Sequence, residues 1–394
     1  MDRIILHSDL NNFYASVECV KNPALKNECV AVCGSGANRH GIVLAKNQNA
    51  KKYGIKTGDV IWQAKQKCPD LVIVEPDFPS YYKYSEVVRK IYYSFTDMIE
   101  PFGIDECWLD VTGSTSLFGS GEEIANKIRE KVKRETSLTV SVGVSFNKIF
   151  AKLASDMKKP DAVTVINRCD LEKVWKLPAS DLLGVGKSTR EKLLKHNINT
   201  IGDIAIADIT CLKSWLGKSG EMLWHYANGL DSSPVVSVEN QEEVKSVGHG
   251  TTTPQDLKTP EEVTRLMHYL TEEISLKLKR RSLLACGVSI TIKDCLFTSK
   301  EFRTQLDTPT HSSTLLARAA SSLFKNRYKW ENDIRAITVT AINLVHSDTC
   351  IQTSLFQSTA ETEKLLRLEN CIDDIKSRYG SKIISTYNNS GVKN

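Results

Sequence analysis

The chain has 394 residues, of which 41% are hydrophobic and 25% charged, with a formal net charge of +5. That is the balance of a globular protein of roughly two to four domains, without the apolar run a membrane span needs. The 11 cysteines are odd in number and lack CxxC spacing, which fits a reduced cytosol better than a disulfide framework or a zinc site.

Met1-Asp2-Arg3 runs into an expected strand at 3–10 with no signal-peptide pattern, so a cytoplasmic location is expected. Further strands are expected at 100–104, 107–112 and 139–145, with helical periodicity at 79–98 and 121–136. This order describes a mixed α/β domain close to the split βαβ arrangement. Residues 20–77 read as an insertion, with short strands at Cys29–Cys33 and Gly41–Ala45 and helices from Asn47 and from Val60 to Lys67. A helix at 147–157 carries or adjoins Lys148, Lys152, Lys158 and Lys159. From about residue 169 the segments become short and helical, and 231–241 reads as a linker. From Lys245 the pattern is strand 245–253, helix 260–281, strands 286–293 and 298–306, helix 311–328 and strand 335–344, a βαββαβ unit. Between Lys277 and Arg335 twelve Lys and Arg face five Asp and Glu, so Arg280, Arg281, Arg303 and Arg335 are candidates to meet a polyanion. A last helix is expected near 358–378.

Acidic residues carry the chemistry. Asp9 follows the apolar Ile4-Ile5-Leu6, and Asp105-Glu106 precede Trp108-Leu109. Strand-end acids are most often solvated turn residues. Acids brought by two strands to one point, however, repel one another unless cations lie between them, which is how hard divalent ions are held. Asp110 reads as a structural acid. Phe13 and Tyr14 are core aromatics or, beside a nucleotide, a platform that excludes a 2′-hydroxyl. Lys148, Lys152 and Lys159 are a solvated helix face or neutralise phosphate at the acidic centre. Gly184 and Gly186, before Lys187, form a turn whose amides can meet an anion; with the helix at Ile201–Ile206 this outlines a helix-hairpin-helix that grips a DNA backbone. Gln352, Leu355 and Phe356 are a strand-end pair packed on its own domain or a short docking peptide for a partner groove.

The stretches Asp9-Leu10-Asn11-Asn12-Phe13-Tyr14-Ala15-Ser16-Val17-Glu18 and Val142-Gly143-Val144-Ser145-Phe146-Asn147-Lys148 through Ser155 closely resemble the Y-family, or translesion, DNA polymerases, on their bacterial side. The resemblance covers about residues 3–344. It implies a multidomain α/β (α+β) right hand: a ferredoxin-like palm at 1–19 and 78–168, fingers at 20–77, a helix-hairpin-helix thumb at 169–234, a linker at 235–241, a βαββαβ little finger at 242–344, and a tail at 345–394. It also implies two Mg²⁺ held by Asp9, Asp105, Glu106 and the carbonyl of Leu10. Tyr14 falls on the steric gate, Lys159 on a triphosphate contact, and Gln352, Leu355 and Phe356 on the peptide that binds the sliding clamp. Many members carry Tyr-x-x-Arg where this chain has Gln48 and Lys51, so its triphosphate grip differs, lysine lacking arginine's bidentate fork. Ile42 falls where a fingers residue roofs the nascent base pair.

The expected activity is template-directed transfer from dNTP to a primer 3′-hydroxyl, with pyrophosphate leaving, by a monomer with low fidelity and no proofreading, used in damage tolerance. Its expected partners are primer–template DNA, dNTP and the clamp. A non-catalytic polymerase-like scaffold would lack the acids, and a palm-type nucleotide cyclase would not need the DNA-gripping segments.

Overall fold

The computed structural model describes residues 2–34, 41–237, 243–349, 359–380 and 383–384, and the chain divides into two units, 1–241 and 242–394. Unit 1 is built around β1 (Ile5–Leu10), which is buried along its whole length. Burial on both faces explains why its apolar residues are not confined to one alternating set. β1 is followed by α1 (Phe13–Lys21), then β2 (Val30–Cys33), β3 (Val43–Lys46), α2 (Gln48–Lys52), α3 (Ile61–Lys67) and β4 (Val72–Val74). β2 is the centre of a small sheet, antiparallel to β3 and parallel to β4.

The chain then forms α4 (Phe78–Tyr93), β5 (Ile99–Phe102), β6 (Glu106–Asp110), α5 (Thr115–Phe118), α6 (Gly121–Thr136), β7 (Val140–Ser145), α7 (Lys148–Met157) and β8 (Val163–Val165). The main sheet runs β5-β6-β1-β7-β8, with only the β7–β8 pair parallel. α4 stops five residues short of the expected 98. Thr96 turns the chain into β5 by donating from its hydroxyl to the Asp110 carbonyl at 2.7 Å while accepting from the Met98 amide at 3.1 Å. β6 likewise ends at Asp110, whose carboxylate accepts from the Thr112 amide at 3.0 Å. Asp110 is thus a turn-forming acid.

Five short helices complete unit 1: α8 (Leu171–Trp175), α9 (Lys187–Leu194), α10 (Ile201–Ile206), α11 (Ile209–Leu216) and α12 (Lys218–Ala227). They share a core with α7 through Phe150, Leu193, Ile201, Leu212 and Leu223. Part of the expected linker is fixed to the sheet: Val235 is buried with Ile5 and Trp108, and the Val236 amide donates to Glu100 at 2.8 Å.

Unit 2 runs β9 (Ser246–Leu257), α13 (Pro260–Lys279), β10 (Leu283–Asp294), β11 (Ser299–Thr310), α14 (Ser313–Arg327), β12 (Ile334–His346) and α15 (Thr359–Tyr379). The antiparallel sheet β11-β10-β12-β9 packs its Val288, Ile290, Ile292, Ile337 and Val339 against Leu270, Ile274 and Leu316 of the two long helices. Its strands are longer than expected because the β10–β11 hairpin keeps pairing beyond the apolar stretch, as far as Lys293 opposite Ser299.

α15 lies on this helical layer. Lys279 pairs with Asp373 at 2.6 Å and Lys376 with Glu272 at 2.9 Å. Glu369, only 8% exposed, accepts from the Thr314 amide at 3.0 Å and from the Ser312 hydroxyl at 2.8 Å. A carboxylate there satisfies free amides at the start of α14 and meets its positive dipole end. Glu369→Ala should therefore destabilise the full chain by about 1–2 kcal/mol, seen as a lower midpoint in urea.

Candidate active site

The antiparallel ladder sets Asp9, the penultimate residue of β1, directly opposite Glu106, the first residue of β6. The Leu10 amide donates to the Asp105 carbonyl at 3.0 Å, so Asp105 sits at the mouth of the same strand pair. Asp105 belongs to the tight β5–β6 turn, where Gly103 takes φ +83°, a left-handed conformation that favours glycine. α4 holds this turn from behind: the Ser85 hydroxyl donates to the Ile104 carbonyl at 2.5 Å and Arg89 donates to the Gly103 carbonyl at 3.0 Å.

Three carboxylates so placed repel one another, and the cost falls on Asp105. Burial, then the charges of Asp9 and Glu106, push its carboxyl up to about 6. Burial also pushes Glu106 up, but His7 and Lys152 outweigh it and hold the group down at about 2. Lys152 lies 2.8 Å from Glu106 and 3.7 Å from Asp9; Lys159 lies 2.5 Å from Asp9 and 2.8 Å from Asp156. Burial alone would lower the Lys159 ammonium, yet Asp9 and Asp156 raise it above its ordinary value. Among the described residues no three acids, imidazoles or thiolates converge as a ready metal cage. The donor set nevertheless fits hard divalent cations: all three groups are oxygen donors, and Asp105, raised first by burial and then by the Asp9 and Glu106 charges, would be relieved by a cation beside it.

Lys148 does not reach this centre. It pairs with Glu100 at 2.7 Å and lies over the Trp108 ring at 4.5 Å. Tyr14 stacks on Tyr81, with ring centres 4.4 Å apart, and meets Phe78 edge-on. Burial and the Asp105 charge raise its phenol above the ordinary value. The Phe13 ring is 3% exposed and belongs to the core, so only its backbone is offered to a ligand. α1 begins after Asn12 in a left-handed conformation and has no side-chain cap. The sequence reading missed this uncapped helix N-terminus, which can offer backbone amides to an anion; an Asn before an aromatic pair is its only signal.

Gln48 and Asn47 line a cavity of about 420 Å³ with Asn11, Asn12, Thr139 and Pro160. Lys51 is solvent-exposed, as is Ile42, which bridges to Val60. Gly184 takes φ +95°, Gly186 is the residue before α9, and Lys187 opens that helix. In unit 2, Arg280 and Arg281 are exposed at the end of α13. Arg303 is bonded to Glu301 at 2.9 Å and Arg335 lies over the Phe297 ring at 4.8 Å. Arg303 faces Ser289, which faces Thr340, which faces Gly248, a cross-strand row of small and polar residues. Gln352, Leu355 and Phe356 lie outside the described residues. Among the described residues no helix is long and apolar enough to cross a membrane.

The impB/mucB/samB family model matches residues 8–156 and the model of that family's C-terminal domain matches 244–355. A thumb-domain model described for DNA polymerase-iota matches 180–231. DNA polymerase IV of Acetivibrio thermocellus is 49% identical over 381 residues, covering 96% of each chain. DNA polymerase IV 1 of Bacillus subtilis is 34% identical over 97% of this chain and 92% of its own. A solved Y-family DNA polymerase chimera superposes with a TM-score of 0.78 at 25% identity, covering 87% of this chain and 99% of that one. With models matching most of its length and a relative nearly half identical across it, the chain belongs to the impB/mucB/samB family of Y-family DNA polymerases and is a DNA-directed DNA polymerase.

Proposed function

We propose that the chain carries out translesion nucleotidyl transfer by two-metal chemistry at the carboxylate centre. The opposition of Asp9 to Glu106, with Asp105 raised beside them, is the observation that carries this reading. Asp9, Asp105, Glu106 and the Leu10 carbonyl would hold two Mg²⁺. Bound there, the ions would supply Lewis-acid stabilisation of the attacking and leaving oxygens. Lys152 and Lys159, released from Glu106 and Asp9 when cations take those oxygens, are then free to meet triphosphate charge. The uncapped start of α1 adds backbone amides to the same grip. Gln48, lining the cavity beside Asn12 and Pro160, contributes a neutral donor where many relatives place a tyrosine; Lys51, where they place an arginine, acts as an exposed point charge.

On this reading 1–19 and 78–168 form the palm, 20–77 the fingers, 169–234 the thumb and 242–344 the little finger. The thumb turn Gly184-Val185-Gly186 and the basic residues of the little finger hold primer–template DNA through its phosphates, independently of sequence. Low fidelity and use in damage tolerance follow the family reading. The primary test is extension of a primed template by the purified chain with dNTPs and Mg²⁺.

The peptide containing Gln352, Leu355 and Phe356 would tether the enzyme, a monomer, to the sliding clamp and raise its effective concentration at the primer end. Deletion of 352–356 should abolish stimulation by clamp and leave clamp-free extension at the parental rate. Undiminished stimulation in a primer-extension assay would exclude this role.

A further inference from the structure

His7 is fully buried on β1, two residues before Asp9, and each ring nitrogen faces a polar group. Nε2 lies 3.2 Å from Glu106 Oε2, and Nδ1 lies 2.8 Å from the Ser155 hydroxyl of α7. The Trp108 ring packs against it edge-on, with centres 5.3 Å apart. Neither His7 Nε2 nor Glu106 Oε2 has a partner of good hydrogen-bond geometry among the described residues, so their 3.2 Å approach is a close polar contact between two buried atoms.

The protons can be assigned from the surroundings. The Ser155 hydroxyl has one proton and two acceptors in reach, the Lys152 carbonyl at 2.7 Å and Nδ1 at 2.8 Å. Glu106 decides between them. A neutral imidazole bearing its proton on Nδ1 would turn a lone pair toward the carboxylate; with the proton on Nε2 it turns a donor. Ser155 then donates to Nδ1, and the ring turns its Nε2 proton toward Glu106, 3.2 Å away.

We infer that His7, set by Ser155, is a positioning residue that fixes the Glu106 carboxylate for metal binding. The inference rests on Glu106 being a metal ligand. It concerns orientation: Lys152, on a flexible stem, can leave Glu106 when a cation arrives, whereas His7 is locked in the sheet and keeps hold. Hydrogen-bonded supports of this kind restrict a ligand's rotation, and their loss commonly lowers metal affinity or activity by about 10- to 100-fold.

The test is Mn²⁺ binding to the full chain on primed template with a non-hydrolysable dNTP analogue, followed by the electron paramagnetic resonance signal of free Mn²⁺. Folding is checked by circular dichroism. His7→Leu should weaken binding by about 10-fold, and His7→Gln, which keeps a neutral donor, should recover most of the loss. Ser155→Ala should shift binding in the same direction by a smaller factor. In single-turnover incorporation, the His7→Leu half-saturating Mg²⁺ concentration should rise while the dNTP KM at saturating Mg²⁺ stays parental. Parental Mn²⁺ affinity in His7→Leu, with loss in Glu106→Gln, overturns the inference and leaves the metal reading intact. Equal losses in His7→Leu and His7→Gln overturn the hydrogen-bond argument. Parental affinity in Glu106→Gln overturns the metal reading itself. Should His7→Leu fail to fold, Ser155→Ala decides, parental affinity counting against the inference.

Discussion

Asp105→Asn should slow primer extension about 10³-fold while raising the melting temperature of the metal-free protein. The two effects have one cause. In the metal-free site the Asp105 carboxyl is held at about 6, against 3.8 for an ordinary aspartate, by burial and by Asp9 and Glu106. A group raised on folding contributes stability that is complete below its unfolded value and lost as pH rises through the folded one. At pH 7 the ionised Asp105 therefore destabilises the fold, by on the order of 2 kcal/mol once partial solvent screening is allowed for. The neutral amide removes that penalty, and each kcal/mol regained is worth roughly 2–4 °C in a domain of this size. The gain should vanish near pH 4, where the parent is protonated as well. Mg²⁺ should raise the parent's melting temperature more than the variant's. Activity moves the other way: losing a charged ligand that contributes about 4 kcal/mol to transition-state stabilisation slows incorporation about 10³-fold. Calorimetric scans from pH 4 to 8, with and without Mg²⁺, check the first part, and single-turnover incorporation checks the second. A variant no more stable than the parent at pH 7 would contradict the electrostatic account.

Tyr14→Ala should relax discrimination against ribonucleotides by about 10- to 100-fold, the 1–3 kcal/mol cost of forcing extra atoms into a filled space. Tyr14 suits this role because it is braced: Tyr81 stacks on its face and Phe78 meets it edge-on. A ring fixed in this way can refuse a 2′-hydroxyl, where a mobile one would swing aside. The same bracing means the alanine variant also loses about 1 kcal/mol of aromatic packing. The measurement is the ratio of kcat/KM for dCTP and CTP opposite template dG. An unchanged ratio would remove Tyr14 from the gate.

The acids were legible in the sequence because their physics is local. A strand buried on both faces advertises itself as an apolar run, so an acid at its end is conspicuous, and two such ends implied the Asp9–Glu106 opposition. Lys152 and Lys148, four residues apart on one helix face, looked equivalent. They differ because α7 packs on β7 and β1, and one helical turn carries the side chain about 5.4 Å further along that sheet. Lys148 therefore lies at the level of Trp108 and pairs with Glu100, while Lys152, a turn on, meets Glu106. That registration is tertiary and leaves no mark in the sequence. The same holds for His7, one histidine in an apolar strand, and for Glu369, an ordinary helix acid until α15 brings it onto the start of α14. Phe13 and Tyr14 were indistinguishable by type. Helical phase decided between them, sending Phe13 into the core and leaving Tyr14 against Tyr81 at the edge of the site.

The most direct test of the account is single-turnover incorporation on a primed template as a function of Mg²⁺, for the parent and for Glu106→Gln. The account predicts template-directed extension by the parent, complete loss on chelation, and a rate in Glu106→Gln lower by at least about 10³-fold at any Mg²⁺ concentration. Parental rates in Glu106→Gln, or extension that survives removal of divalent ions, would contradict it.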